Sequence, residues 1–354
     1  MPAGPAATSS HDRPLRRLGF LTIGLFDAAD PGPGHAVTLE MIELGERLGF
    51  DSAWLRDRHL QHGISSPVAV LAAASQRTSR IDLGTAVIPL AWENPLRLAE
   101  DLATVDVLSG GRLNPGVSVG PPMTWDDVRD ALYPDTAEVE DFGYGRVERL
   151  LAFLSGAQAS TFSGTRGIEV FSDRVQPQSP GLRERMWYGG ASLRSATWAG
   201  EHGMNLLTSS VVKAETEEPE GEAWDFAALQ LAQIKAFRAA HPEGERARVS
   251  QGLVVLPTDT ATPVQREKYE AYAASRLERT RTPWGPGRLL FAPDLVGTSE
   301  ELAALLAEDV AYAEVDEVAF ALPFTFAPED YVQILTDMAT RLGPLLGWEP
   351  RDLG

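Results

Sequence analysis

The chain of 354 residues contains no cysteine. That absence excludes disulfides, thiolate nucleophiles, cysteine–zinc sites and iron–sulfur clusters together, and it suits a reducing, cytoplasmic location. Positive charge is also scarce: 31 Lys and Arg stand against 50 Asp and Glu, a formal charge of −19. Such a balance argues against nucleic acid as a partner, since that binding rests on neutralising phosphates. It marks an acidic, solvated surface, and the run at 215–222 (ETEEPEGE) reads as part of it. No apolar run approaches the ~20 residues of a membrane-spanning helix, so no membrane partner is expected. Two signatures are missing as well. No Gly-x-Gly-x-x-Gly follows a strand and opens a helix; Gly143-Tyr144-Gly145 lacks the third glycine, which excludes a Rossmann-type dinucleotide site. No Gly-x-Ser-x-Gly elbow is present, which leaves hydrolase chemistry without support.

What the chain does contain is a regular alternation of strand and helix patterns. Apolar strand-like runs fall at 18–25, 52–56, 81–88, 112–118, 185–188, 204–208, 249–256 and 316–322. Helical periodicity falls at 38–48, 67–76, 95–108, 142–154, 192–202, 223–240, 263–279 and 328–342, with one extra helix at 299–310. Strand and helix numbers suit eight βα units, and consecutive βα units build a parallel sheet. The unit at 80–120 is the clearest. Asn94 can cap a helix whose first position is Pro95, Leu98, Leu102 and Val105 share one face, and Ser109-Gly110-Gly111-Arg112 ends it. The spacing breaks at 121–140, 157–182, 211–222 and 281–297, which read as insertions after strand four, before strand five and after strands six and seven. The last combines prolines and glycines with Trp284, Leu289, Leu290 and Phe291 and is expected to act as a lid. Residues 1–17 are expected to be a disordered leader, 18–346 one barrel domain and 347–354 a tail.

Several ordered motifs resemble the luciferase-like family of flavin- or deazaflavin-dependent oxidoreductases. They are LGFLTIGLF and LEMIELGERLGFDSAWLRDRH near the start, RIDLGTAV, NPLRLAEDLATVDVLSGGR and LNPGVSVG in the middle, and MWYGGASLRSATWAGEHG further on. The resemblance runs, with interruptions, from about Leu18 to Leu346, and it implies a single (β/α)8 TIM barrel, an α/β fold. In such a barrel the chemistry gathers at the C-terminal ends of the strands. There the second strand delivers Asp57-Arg58-His59. The family often carries Glu-His-His at this place, with the first His acting as a base. Arg58 stands at that position and cannot deprotonate, so it is expected to serve as a fixed cation, with His59 moving the proton and Asp57 orienting it. His59 and His62 alone do not make a catalytic metal site, which typically needs three protein ligands, and no metal is expected.

The cofactor residues follow from the same resemblance. It implies a non-proline cis peptide or bulge beneath the flavin ring at Ala86-Val87, and a pocket wall at Ser118. It places the flavin phosphate at Gly189, Gly190, Ala191, Ser192, Arg194 and Ser195, where glycines precede a helix start that offers free N–H groups. Val119 stands where many relatives carry an Arg that reaches the phosphate. The expected activity is a flavin-dependent monooxygenase that uses reduced FMN, supplied by a separate reductase, and O2 to oxygenate a small organic substrate. Two alternatives stay open: hydride transfer with F420, and a catalytically idle flavin-binding or subunit protein. A homodimer is expected through the helices at 67–76 and 95–108, where residues 70–74 (VLAAA) offer a surface of small side chains.

Overall fold

A computed structural model describes residues 14–215 and 224–351. Among them, eight parallel strands form the wall of a barrel: β1 (Arg17–Thr22), β2 (Ser52–Leu55), β3 (Asp82–Thr85, resuming at Ile88–Pro89), β4 (Leu113–Asn114 and Gly116–Ser118), β5 (Trp187–Gly189), β6 (Asn205–Thr208), β7 (Val249–Gln251) and β8 (Glu317–Ala321). Each pairs with the next, through Leu21↔Trp54, Leu55↔Thr85, Ile88↔Val117, Val117↔Tyr188, Gly189↔Leu207, Thr208↔Gln251 and Gln251↔Val318. Pairing of Phe20 with Phe320 closes the ring between β8 and β1. The fold is a TIM barrel, as the alternation predicts.

Helices cover the strands: α1 (Gly32–Arg47), α2 (Pro67–Ser75), α3 (Pro95–Ser109), α4 (Gly145–Leu154), α5 (Leu193–Glu201), α6 (Phe226–Ala240), α7 (Pro263–Arg276) and α8 (Pro328–Asp337). In α3 the Asn94 side chain accepts from the Leu96 N–H at 2.9 Å, and Gly110 ends the helix at φ +70°. Arg112 then bonds Ser109, Thr78, Ile81 and Ser75, four of these contacts being to backbone carbonyls, and ties α2 and α3 to the start of β3. Several boundaries differ from the sequence pattern: β1 ends at Thr22 and not at 25, β7 ends at Gln251 and not at 256, and α1 begins six residues before position 38. Pro33 lies in its first turn, where a missing N–H leaves nothing unpaired, so the Gly-Pro-Gly segment starts the helix instead of preventing it.

Trp54 and Trp187 meet edge to face inside the barrel, with ring centres 5.4 Å apart. They cluster with Leu207 and Ala319 and support Leu21, Ala86 and Val87 above. A Cβ on Gly84 would lie 2.2 Å from the Trp54 ring, so this glycine makes room for the indole rather than for a ligand. At the other end of the barrel, Glu317 pairs with Arg248 at 2.8 Å and with Arg17 at 3.6 Å.

Residues 164–171, within the insertion before strand five, form a short hairpin with Thr165 opposite Val170. The segment expected to be a lid is pinned down instead. Leu289–Phe291 pairs antiparallel with Val211–Lys213, and Leu295–Gly297 pairs parallel with Val255–Pro257. Leu15, within the expected leader, is buried and its N–H donates to the Leu346 carbonyl. The rest of that segment up to residue 13, and most of the acidic run at 215–222, lie outside the described residues. Trp348, within the expected tail, is buried and donates to Asp51 at 2.8 Å.

Candidate active site

The C-terminal ends of the strands open into a cavity of about 550 Å³. Its size falls in the range of pockets that enclose a cofactor or a drug-sized ligand. The Trp54–Trp187 layer lies below it. Residues 86–89 of β3, 118–124 after β4, 189–191 after β5 and 207–211 after β6 contribute to its walls. Pro121, Pro122, Met123 and Thr124 close one side, whereas no residue of 281–297 lines it. The insertion after strand four therefore supplies the wall that the sequence pattern assigned to the later segment.

The Ala86–Val87 peptide bond is cis and lies between the two pieces of β3. Beside it the Thr85 hydroxyl accepts from the Gly116 N–H at 2.9 Å and donates to the Gly116 carbonyl at 2.8 Å. Gly116 has no room for a side chain, since its Cβ would lie 2.3 Å from the Thr85 carbonyl oxygen. These bonds hold β3 and β4 together where the ladder is interrupted. Ala86, Val87 and Ser118 all line the cavity.

The end of β2 brings Arg56, Asp57, Arg58 and His59 to the same cavity. Its backbone is fixed by the Arg56 N–H to Thr22 O (3.0 Å) and the Arg58 N–H to Ile64 O (2.7 Å). Asp57 is buried, and its Oδ2 lies 3.3 Å from His59 Nε2. The two groups are in ion-pair range, but their alignment makes no hydrogen bond, and both Asp57 oxygens and His59 Nε2 lack a hydrogen-bonding partner among the described residues. The imidazole stacks on Trp92, with ring centres 4.2 Å apart and planes 14° apart. Burial, then the charge of Asp57, raises the Glu93 carboxyl above the usual range, while His59 opposes the shift. Arg56, Trp92 and Glu93 were not among the residues expected from the sequence. Their signals were an Arg at the end of a buried strand (Ser-Ala-Trp-Leu), and a Trp-Glu pair between a strand and a helix cap.

At the glycine turn, Gly189, Gly190 and Ala191 line the cavity, while Ser192, Arg194 and Ser195 do not. Ser192 and Ser195 form a reciprocal capping box on α5: Ser192 Oγ accepts from the Ser195 N–H (3.1 Å) and Ser195 Oγ accepts from the Ser192 N–H (3.0 Å). The Glu215 carboxylate accepts from the Leu193 N–H. Arg194 is exposed, its guanidinium 5.8 Å from the centre of the Tyr144 ring. The structure thus brings together nine of the twelve residues expected from the sequence around one cavity and leaves these three at its edge. Among the described residues, no cluster of three or more His, Asp or Glu could hold a metal ion, and no helix is long and apolar enough to cross a membrane.

The fold and the site are those of a (β/α)8 barrel with its cavity at the C-terminal mouth of the strands. The luciferase-like monooxygenase profile matches residues 17–317. The chain belongs to that family. It is 40% identical over 262 residues to limonene 1,2-monooxygenase of Rhodococcus erythropolis, an alignment covering 68% of this chain and 66% of that one. The match thus spans just under two thirds of that relative's length. Among solved structures, the FMN complex of the oxygenating constituent of 3,6-diketocamphane monooxygenase from Pseudomonas putida superposes with a TM-score of 0.62 at 12% identity, covering 93% and 98% of the chains. The F420-dependent tetrahydromethanopterin reductase of Methanopyrus kandleri superposes with a TM-score of 0.59 at 18% identity, covering 94% and 99%. At these identities the two structures establish the fold alone.

Proposed function

We propose that this chain is a flavin-dependent monooxygenase that binds reduced FMN and oxygenates a small organic substrate with O2. The observation that carries the reading is the single cavity shared by Ala86 and Val87, the Gly189–Gly190–Ala191 turn and the Asp57–His59 pair. The residues present fit a flavin. Asp57 and His59 line the cavity and, among the described residues, keep buried polar atoms without a hydrogen-bonding partner behind its wall, and the glycine turn leads directly into the N-terminus of α5.

Ala86 and Val87 would support the ring, and Ser118 would flank it. Gly189, Gly190 and Ala191 would receive the phosphate, with Ser192, Arg194 and Ser195 shaping the edge of its site. Bound reduced flavin supplies the two electrons that send one oxygen atom of O2 to the substrate and the other to water. His59 is the group that would move a proton, through the ring nitrogen that does not face Asp57; Asp57 beside Nε2 would hold the ring in place, and Arg58 would act through its charge. Trp92 and the Pro121–Thr124 wall restrict water around the imidazole.

With no dinucleotide site in the sequence, electrons would come from a separate flavin reductase. The protein would work in the cytoplasm as a homodimer. Its interface would use α2 and α3, where Val107 and Leu108 are exposed, although Leu71 and Ala74 of the expected small-residue surface are taken up by the core. Light scattering at micromolar concentration checks the assembly, and a monomer mass would remove it. The activity is tested by titrating the purified protein with FMN, reduced FMN and F420, followed by oxygen uptake. Tight binding of reduced FMN with substrate-dependent uptake is expected. Preference for F420 would replace oxygenation by hydride transfer, and failure to bind any of them would favour the idle-subunit alternative.

A further inference from the structure

Among the described residues, the arginines that are largely withdrawn from solvent have partners for their side chains, except for two at the cavity. Arg146 bonds Glu140 and the Asp141 carbonyl, Arg185 bonds Asp106, Arg238 bonds Glu314, and Arg276 bonds Asp294. Arg56 sits directly after the buried strand Ser52–Leu55 and lines the cavity, yet its side chain makes no hydrogen bond or ion pair among the described residues. Arg58, two residues on, also lines the cavity, and its side chain likewise has no hydrogen bond.

The charges around Arg56 explain why the chain itself does not satisfy it. The groups that act on it are Arg58 and Arg276, both cations. Burial first, then these two charges, push the Arg56 guanidinium down to about 10. Asp57 acts on Arg58, and it also lies against His59. Asp294, the carboxylate beside Arg276, is shared with Arg279 at 3.7 Å. The Arg56 guanidinium is part-buried yet reaches the cavity, and a cation set there without a counter-charge carries a cost that an arriving anion relieves. The neighbouring walls are apolar: Leu21 of β1, the strand beside β2, and Ala319 and Ala321 of β8, on the far side of β1, line the same cavity.

We infer that Arg56 and Arg58 form a recess for a carboxylate, and that the substrate is an organic acid with an apolar body. The planar fork of Arg56 takes the carboxylate, and Arg58 adds a second positive charge at the mouth. The apolar body lies against Leu21, Ala319 and Ala321. The recess is distinct from the glycine turn, which follows β5, three strands away around the barrel. The inference rests on the proposed oxygenase reading for its substrate role, whereas the anion preference itself does not depend on it.

The test uses the full chain and calorimetric titration with two acids and their amides, benzoate against benzamide and hexanoate against hexanamide. Wild type, Arg56→Met and Arg56→Lys are compared, with FMN and inorganic phosphate titrated in parallel. The acids are expected to bind about tenfold or more tightly than their amides, with the preference lost in Arg56→Met and partly kept in Arg56→Lys. FMN affinity should stay within about twofold, as expected for a group outside the phosphate site. Ligand-free Arg56→Met should also melt at a higher temperature than wild type, because it removes an uncompensated charge; a merely structural arginine would do the reverse. Equal binding of acids and amides by wild type would overturn the inference. So would loss of FMN and phosphate affinity in Arg56→Met with the acid preference intact, which would assign the charge to the cofactor. A protein that prefers the acids but binds neither FMN nor F420 would refute the oxygenase reading and leave the recess standing.

Discussion

His59 Nε2 lies 3.3 Å from Asp57 Oδ2 while the imidazole rests flat against Trp92. The stacking fixes the plane of the ring, and the carboxylate fixes which edge faces inward. Such an arrangement is short of a hydrogen bond and can tighten when a ligand fills the cavity.

The first prediction follows from it. His59→Ala should lower turnover by about 10²-fold or more while leaving FMN affinity unchanged, as for a residue that moves a proton without holding the cofactor. Trp92→Ala should cause a smaller loss and shift the pH profile, since it frees the ring without removing it. Wild-type turnover in His59→Ala, measured by stopped-flow with reduced FMN, would rule out His59 as the proton carrier.

Glu93 gives a prediction about stability. Burial and Asp57 raise its carboxyl above the usual range. Its contribution to folding is fully present below the unfolded value of about 4.3 and is lost as pH rises through the higher folded value. At pH 7 the ionised form therefore works against the fold. Glu93→Gln should melt at a higher temperature than wild type at pH 7, and the difference should vanish below about pH 4. A lower melting temperature at pH 7 would mean that the carboxylate has a stabilising partner.

At the far end of the barrel burial again raises a carboxyl, that of Glu317, but Arg248 and Arg17 oppose the shift. Stranding these two cations sets the opposite sign for its replacement. Glu317 is buried between Arg248 (2.8 Å) and Arg17 (3.6 Å), and Arg248 also lies over the Trp187 ring at 4.7 Å. Glu317→Gln leaves both cations without their shared charge. It should cost about 2–4 kcal/mol, less than for a fully enclosed pair because Arg248 is about one third exposed. Urea unfolding reads this, and FMN binding at the opposite mouth should not change. An unaltered midpoint would show that the pair contributes nothing net.

The strands were legible because a barrel strand is covered on both sides and reads as a short apolar run, as in Ser-Ala-Trp-Leu of β2 or Val-Ala-Phe-Ala of β8. The helices were legible from their period and from signals such as Asn94-Pro95. Pairings between distant segments were not. Nothing local in 211–213 or 289–291 announces that they join as strands, since the bonds form between residues almost eighty positions apart. The site was legible where the chain order places residues on a strand end, as at Asp57 to His59. It was not legible where the contact is made by folding, as in the stack of Trp92 on His59 or the isolation of Arg56. Ser192 and Ser195 show a third case. A serine before a helix serves a cap and an anion equally well in sequence, and here the hydroxyls are engaged in the cap.

That engagement leads to the last prediction. The free N–H of Leu193, at the first turn of α5, is taken by the Glu215 carboxylate. A phosphate approaching through the Gly189–Gly190 turn meets this negative charge at the same helix end, where the dipole would otherwise favour it. Glu215 therefore competes with the cofactor. Glu215→Gln should raise FMN affinity by about two- to fivefold, the range set by a charge at a helix terminus. The gain should shrink with added salt, because screening weakens the repulsion that the substitution removes. Arg194→Ala combined with Ser195→Ala should act the other way, removing a cation and loosening the cap together. Quenching of flavin fluorescence on binding measures all three proteins. If Glu215→Gln binds FMN no more tightly than wild type, and the double variant no more weakly, the phosphate does not use the start of α5.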